Sequence, residues 1–174
     1  SDSTVEENDR SSWDGNVWMA SCDVSDCFHR YRTWQDFAEF FALPPVGARL
    51  VRKTAVCGEP VAGDEMIFPC WGSLPMGFSH SLALVQTGGE LTLSEADPRL
   101  STPITDRGGP VVLNPFGQKV QRTRHYLYVD NLGVVGCHAE EVTEVRDKGR
   151  EAFDEKGLLV HEVGKTTTVE HNVG

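Results

Sequence analysis

The chain has 174 residues, 39% of them hydrophobic, which is enough for one ordinary core and predicts a single domain. Sixteen basic residues against 26 acidic ones leave a formal charge of −10. That balance argues against a large phosphate-binding face, because nucleic-acid affinity comes mostly from Lys and Arg contacts, although it leaves room for a local basic groove.

The five cysteines, Cys22, Cys27, Cys57, Cys70 and Cys137, are odd in number and contain no CxxC pair. Structural zinc needs closely spaced ligand pairs, so these spacings suit a reduced, intracellular protein of the cytoplasm or nucleus. No apolar run approaches the length of a membrane span, and no membrane partner is expected. The opening SDSTVEENDRSS is acidic and polar, unlike a signal or transit peptide. Residues 1–16 are therefore expected to be a disordered lead-in or the cut edge of a larger protein.

The first element expected is a strand, NVWMASCDV, whose near-continuous apolar run suits burial on both faces. Thr33 is placed to cap a short helix, WQDFAEFFA, with Phe37, Phe40 and Phe41 on one side and Pro44-Pro45 ending it. Next, ARLVRKTAVCG and EMIFPCW read as a hairpin joined by the turn-prone EPVAGD. From Phe78 to about Ala96 the spacing of Leu82, Val85, Gly89 and Leu93 predicts a helix, and the proline- and glycine-rich residues 97–122 predict a long loop. Two strands flank Asp130-Asn131. The clearest helix follows, AEEVTEVRDKGREAFDEKG, with an apolar stripe of Val142, Val145, Ala152 and Phe153, acids at its start, Lys156 at its end and Gly157 just past it. LLVHEV and TTVEHNV are the last strands. Antiparallel strands mixed with helices define an α+β fold with helices packed on one face of a sheet.

Three stretches carry candidate chemistry. Asp23 ends the first strand in CDVSDCF; taken alone it reads as a helix-cap or turn aspartate. Asp130 sits between two strands in YLYVDNLGVVG, where Asp-Asn is also good hairpin-turn chemistry. If those two strands are neighbours, the two carboxylates converge, repel each other and call for a hard cation such as Mg²⁺. The third stretch, WGSLPMGFSHSLALVQ, has an extended Leu-Pro and then a glycine opening an apolar helix, whose free N–H groups suit an anion or a nucleotide.

Together and in this order, these stretches resemble the palm of reverse transcriptases, the RNA-directed DNA polymerases of retrotransposons and retroviruses. DVSDCF is similar to the family's first motif, an aspartate followed five residues later by an aromatic. LPMGFSHSLALVQ is similar to the second, LPQG and a helix with a small residue four positions on, here Ser81. YVDN is similar to the YxDD hairpin, EKGLLVHEVGKT to the fourth motif ending in Lys-Thr, and VEHNVG faintly to the fifth. The likeness runs from about residue 17 to the C-terminus, so 17–174 would be a palm with a ferredoxin- or RRM-like core.

The resemblance implies that Asp23 and Asp130, with the backbone carbonyl of Val24 and the side chain of Asn131, hold two Mg²⁺ ions, with Mn²⁺ as a substitute. It implies that Phe28 lies under the incoming sugar and excludes a 2′-hydroxyl, that Met76 and Gly77 line the nucleotide and template base, that Ser81 and Tyr128 belong to the nucleotide pocket, and that Lys165 approaches the triphosphate. The partners implied are an RNA or DNA template with its primer, a deoxynucleoside triphosphate, and fingers, thumb or ribonuclease H regions of a parent polyprotein. The chain departs from the family pattern at several points. Met76 stands where glutamine is commonest, most of the fingers and the thumb are missing from the expected plan, and Asn131 replaces the second acid of YxDD. Asparagine's carbonyl ligates Mg²⁺ without charge, so weaker metal binding is expected, not its loss. Two other readings remain: a catalytically decayed palm kept as a nucleic-acid-binding or interaction module, and an RNA-directed RNA polymerase palm.

Overall fold

The computed structural model of the chain describes residues 13–169. In chain order the elements are β1 (Trp18–Val24), α1 (Cys27–Arg30), α2 (Gln35–Ala38), β2 (Val46–Gly47), β3 (Ala55–Val56), β4 (Glu59–Pro60), β5 (Met66–Ile67), α3 (Ser81–Ala96), α4 (Lys119–Arg122), β6 (Thr123–Tyr128), β7 (Asn131–Gly136), α5 (Ala139–Glu155), β8 (Val160–Val163) and β9 (Thr167–Thr168). They gather into two compact units, one of residues up to Cys27 together with those from Leu82 onward, the other Phe28–Ser81.

The first unit is built on an antiparallel sheet in the order β6-β7-β1-β8, with β9 pairing the far end of β1. Its four long-range strands and two crossover helices, α3 and α5, give the interleaved βαββαβ arrangement of ferredoxin-like sheets. The expected α+β class is what the chain adopts. Alternation along β1 explains the layering. Ala20, Cys22 and Val24 are buried beneath the helices, whereas Met19, Ser21 and Asp23 point to the opposite, open face. The ladder carries this division across the sheet, so Leu132 and Val134 of β7 and His125 and Leu127 of β6 share the helix face.

Helix α5 packs on β1 and β7 through the stripe its sequence advertises, with Val142, Val145 and Phe153 buried. Gly149 belongs to that stripe because an added Cβ would meet the side chains of Leu132 and Leu93. Lys156 caps the helix, and Gly157 follows at φ 78°, the left-handed position that glycine favours. Helix α3 begins three residues later than expected, at Ser81, and buries Val85, Gly89 and Leu93 at four-residue spacing; Leu82 faces out.

In the second unit the short helix departs from its expected form. It starts after Trp34, not Thr33, and tightens into a 3₁₀ turn at Glu39–Phe41. Three residues per turn instead of 3.6 rotate Phe40 outward, to 83% exposure, while Phe37 and Phe41 pack on Phe78 at ring separations of 5.6 and 5.2 Å. The tight hairpin also falls elsewhere. Cys57-Gly58, both at positive φ, turn β3 into β4, so Glu59–Pro60 is a strand and not part of a connecting loop; β2 pairs with β5 outside it.

His125 gives a pH test of this packing. Burial pushes its imidazole down to about 4, below the 6.5 of a free histidine, so the folded chain holds it neutral. As pH falls below 6.5 the unfolded chain takes up a proton that the folded chain refuses until about pH 4, and stability falls through that window. Between pH 7 and 4.5 the native chain should lose about 2 kcal/mol more than His125→Leu. Urea titrations of both at the two pH values check this.

Candidate active site

The sheet brings the two motif strands side by side. Asp23 near the end of β1 is registered directly opposite Asn131, the first residue of β7, so both side chains lie on the open face. Asn131 is registered on its other side with Tyr128, which is 67% exposed. The turn of the hairpin is therefore Val129-Asp130, one residue earlier than a turn built on Asp-Asn, and Asn131 belongs to the ladder.

That turn is unusual and tightly held. Val129 has φ 58° while Asp130 does not share the positive φ, the pattern of a type II′ turn, whose first central position favours glycine. A β-branched residue there is strained by roughly 1–3 kcal/mol and persists only where its surroundings impose it. Three neighbours do so. The Gln86 side chain on α3 accepts from the Val129 N–H at 2.9 Å and donates to the Leu127 carbonyl at 2.8 Å. The Val24 N–H donates to the Asp130 carbonyl at 2.9 Å, and the Cys27 thiol lies 3.9 Å from the Val129 carbonyl. Burial, reinforced by the charges of Asp130 and Asp23, pushes that thiol up to about 11, so it stays a protonated donor at neutral pH.

Asp23 is held above the usual carboxylate range, first by partial burial and then by the charge of Asp130. The second cause means that the charge of Asp130 is felt at Asp23. His161 works the other way: its Nδ1 lies 3.5 Å from an Asp23 carboxylate oxygen and lowers the Asp23 pKa when charged. It reaches that place through a β-bulge, because Asp23 pairs with Glu162 and Val24 with Val160, leaving His161 as the extra residue. A cleft of about 370 Å³ opens beside the aspartate, lined by Ser21, Asp23, Asn131, Glu162 and Gly164 among others. Gly164 lies close to β1 there: its N–H donates to the Ser21 carbonyl at 2.9 Å, and a Cβ would press on the Ser21 hydroxyl.

The donor set fits a hard dication. The carboxylate of Asp23 feels the charge of Asp130, and the Asn131 Oδ1 is buried without a hydrogen-bond partner, an acceptor left over on the Asp23 side of the sheet. Among the described residues, no three His, Cys, Asp or Glu side chains cluster as metal ligands.

Lys165 is exposed and follows Gly164 on the connection from β8 to β9. Phe28, Met76, Gly77 and Ser81 belong to the other unit. There Met76 is 72% exposed, Gly77 has open space around it, and Ser81 is fully buried with its hydroxyl donating to the Pro75 carbonyl at 2.7 Å. Residues 170–174, which hold most of VEHNVG, and residues 1–12 of the lead-in lie outside the described residues.

Sequence reasoning missed Gln86, Cys27, His161 and Glu162. Gln86 had a signal: a polar residue three positions before the buried stripe position Gly89, and so on the same side of the helix, is not placed for solvent alone. The bulge that delivers His161 leaves no mark in composition.

No protein-family profile matches the chain, and no curated protein matches it in sequence. Among solved structures it is similar to apo telomerase from Candida tropicalis truncated from its C-terminal domain, at TM-score 0.48 and 15% identity. The overlap covers 98% of this chain and 34% of that one, so the chain spans about a third of the length of that structure. A likeness of this size shows neither family nor activity. No helix among the described residues is long and apolar enough to cross a membrane.

Proposed function

We propose that the open face around Asp23 and Asp130 is the site of template-directed nucleotidyl transfer of the reverse-transcriptase type, RNA-directed DNA synthesis by a portion of a retrotransposon-type polymerase. The observation that carries this reading is the cross-strand placement of Asp23 and Asn131, with the Asp130 charge felt at Asp23. Five motif-like stretches in the family's order support it.

Asp23 and Asp130 would hold Mg²⁺, with the Val24 carbonyl and the Asn131 amide oxygen as neutral donors. A bound pair of such ions supplies charge neutralisation and a more acidic primer hydroxyl. The chain's own part would be to hold two carboxylates near each other against their repulsion, with the ladder fixing β1 to β7 and the turn carrying Asp130. Lys165 would add positive charge toward the triphosphate. Phe28, Met76, Gly77, Ser81 and Tyr128 enter as nucleotide contacts through the motif likeness.

Primer extension with dNTPs, with NTPs, and with Mg²⁺ or Mn²⁺ tests the reading. Metal-dependent extension with dNTPs alone is expected. Extension with NTPs would point to an RNA polymerase palm. Nucleic-acid binding without extension under any metal would favour the decayed module, a reading that the neutral Asn131 gives some weight. With a net charge of −10, the chain by itself should bind primer-template weakly and with a steep loss as salt rises, measurable by fluorescence anisotropy. Tight binding at physiological salt would contradict this.

A further inference from the structure

We propose that Gln86 is a positioning residue for Asp130: its side-chain amide holds Val129 in the left-handed conformation and so aims the neighbouring carboxylate. The inference rests on the nucleotidyl-transfer reading of Asp130 for its functional meaning, but the clamp itself is a matter of geometry. The amide is fully engaged. Its oxygen accepts from the Val129 N–H, and its nitrogen donates both to the Leu127 carbonyl and to the Glu90 carboxylate at 2.7 Å. A carboxylate only accepts, so Glu90 fixes which end of the amide is nitrogen and which oxygen must face Val129.

The two backbone groups gripped belong to Leu127 and Val129, on either side of Tyr128 and immediately before Asp130. Gly89, one turn along α3, allows the reach: an added Cβ would run into the Leu127 side chain, so the helix sits close to β6 there. The strain at Val129 explains why a clamp is needed. With φ at 58°, valine would relax in an unsupported hairpin, and relaxing the turn would swing Asp130 away from Asp23. The Val24 N–H on the Asp130 carbonyl steadies the turn from β1, but it does not act on Val129 itself.

The test uses the whole chain, the variants Gln86→Leu, Val129→Gly and the double variant, amide hydrogen exchange at residue 129, and Mn²⁺ binding followed by electron paramagnetic resonance. In Gln86→Leu the Val129 amide should exchange at least roughly tenfold faster, since its acceptor is gone. Mn²⁺ affinity should fall by about tenfold, and most of that loss should disappear when glycine, at ease with positive φ, occupies position 129. Unchanged exchange, or unchanged Mn²⁺ affinity in Gln86→Leu when the wild type binds the ion, overturns the proposal. If Gln86→Leu fails to fold, Val129→Gly is compared with the double variant: a difference in affinity under about threefold supports the clamp, and a full tenfold loss overturns it. A wild-type chain that binds no Mn²⁺ overturns the metal-site reading instead, while exchange at Val129 still decides whether Gln86 holds the turn.

Discussion

Asn131→Asp should strengthen divalent-cation binding by the chain, and Asp130→Asn should abolish it. The two positions are adjacent and both substitutions exchange an amide and a carboxylate, yet the sheet gives them opposite consequences. Asn131 already presents an unpartnered oxygen on the Asp23 side, so a carboxylate there adds charge to an existing donor, worth roughly tenfold or more in Mg²⁺ affinity. Asp130→Asn leaves Asp23 as the sole carboxylate of the pair. The gain at position 131 has a cost without metal. A carboxylate directly opposite Asp23 in the ladder is a like-charge cross-strand pair, destabilising by about 0.5–1 kcal/mol until a cation is added. Thermal melts with and without Mg²⁺ should therefore show Asn131→Asp below the native chain in chelator and level with it or above it in metal. If Asn131→Asp leaves the metal dependence unchanged and Asp130→Asn is tolerated, the hairpin is only a turn.

The second large effect is expected away from the aspartates. Arg146 on α5 is buried, donates from Nη1 to the Gly164 carbonyl at 2.6 Å and to the Ser21 carbonyl at 3.3 Å, and pairs through Nε with Asp147 at 2.8 Å. One guanidinium thus ties the helix to β1 and to the connection that carries Lys165. Arg146→Met keeps the stem but takes from the Gly164 carbonyl its guanidinium partner, while the Ser21 carbonyl keeps the Gly164 N–H, and should cost about 1–3 kcal/mol of stability, read as a lower urea midpoint. A loss under about 0.5 kcal/mol would mean that β8 and β9 are held by their ladders alone. Because the Gly164 carbonyl is released, Lys165 loses its fixed starting point, so any extension activity should fall beyond what stability accounts for.

Much of this architecture was legible in the residues. The stripe of α5, the acids at its start and Gly157 past its end specify that helix fully, whereas β1, expected from its apolar run to be buried on both faces, buries only Ala20, Cys22 and Val24 and leaves Asp23 on an open face. The position of the turn was not legible. Asp-Asn is the better turn dipeptide by propensity, but the cross-strand register and the Gln86 clamp place the turn on Val129-Asp130, against the preference of valine. Local chemistry lost to tertiary contacts there, and at Phe40 it lost to a helix too short to keep its period. The grouping of residues 28–81 into a unit of their own escaped notice because its strands are only two residues long and leave no alternation to read.

The most direct measurement of the central claim is Mn²⁺ binding by the native chain beside Asp23→Asn and Asp130→Asn, followed by electron paramagnetic resonance in the absence of nucleic acid. It asks about Asp23 and Asp130 directly, without requiring any part of a polymerase beyond these residues. Binding by the native chain that is lost in both variants, and that is competed by Mg²⁺, is the predicted result. Equal binding in all three proteins, or none in the native chain, would contradict a metal site on this face of the sheet.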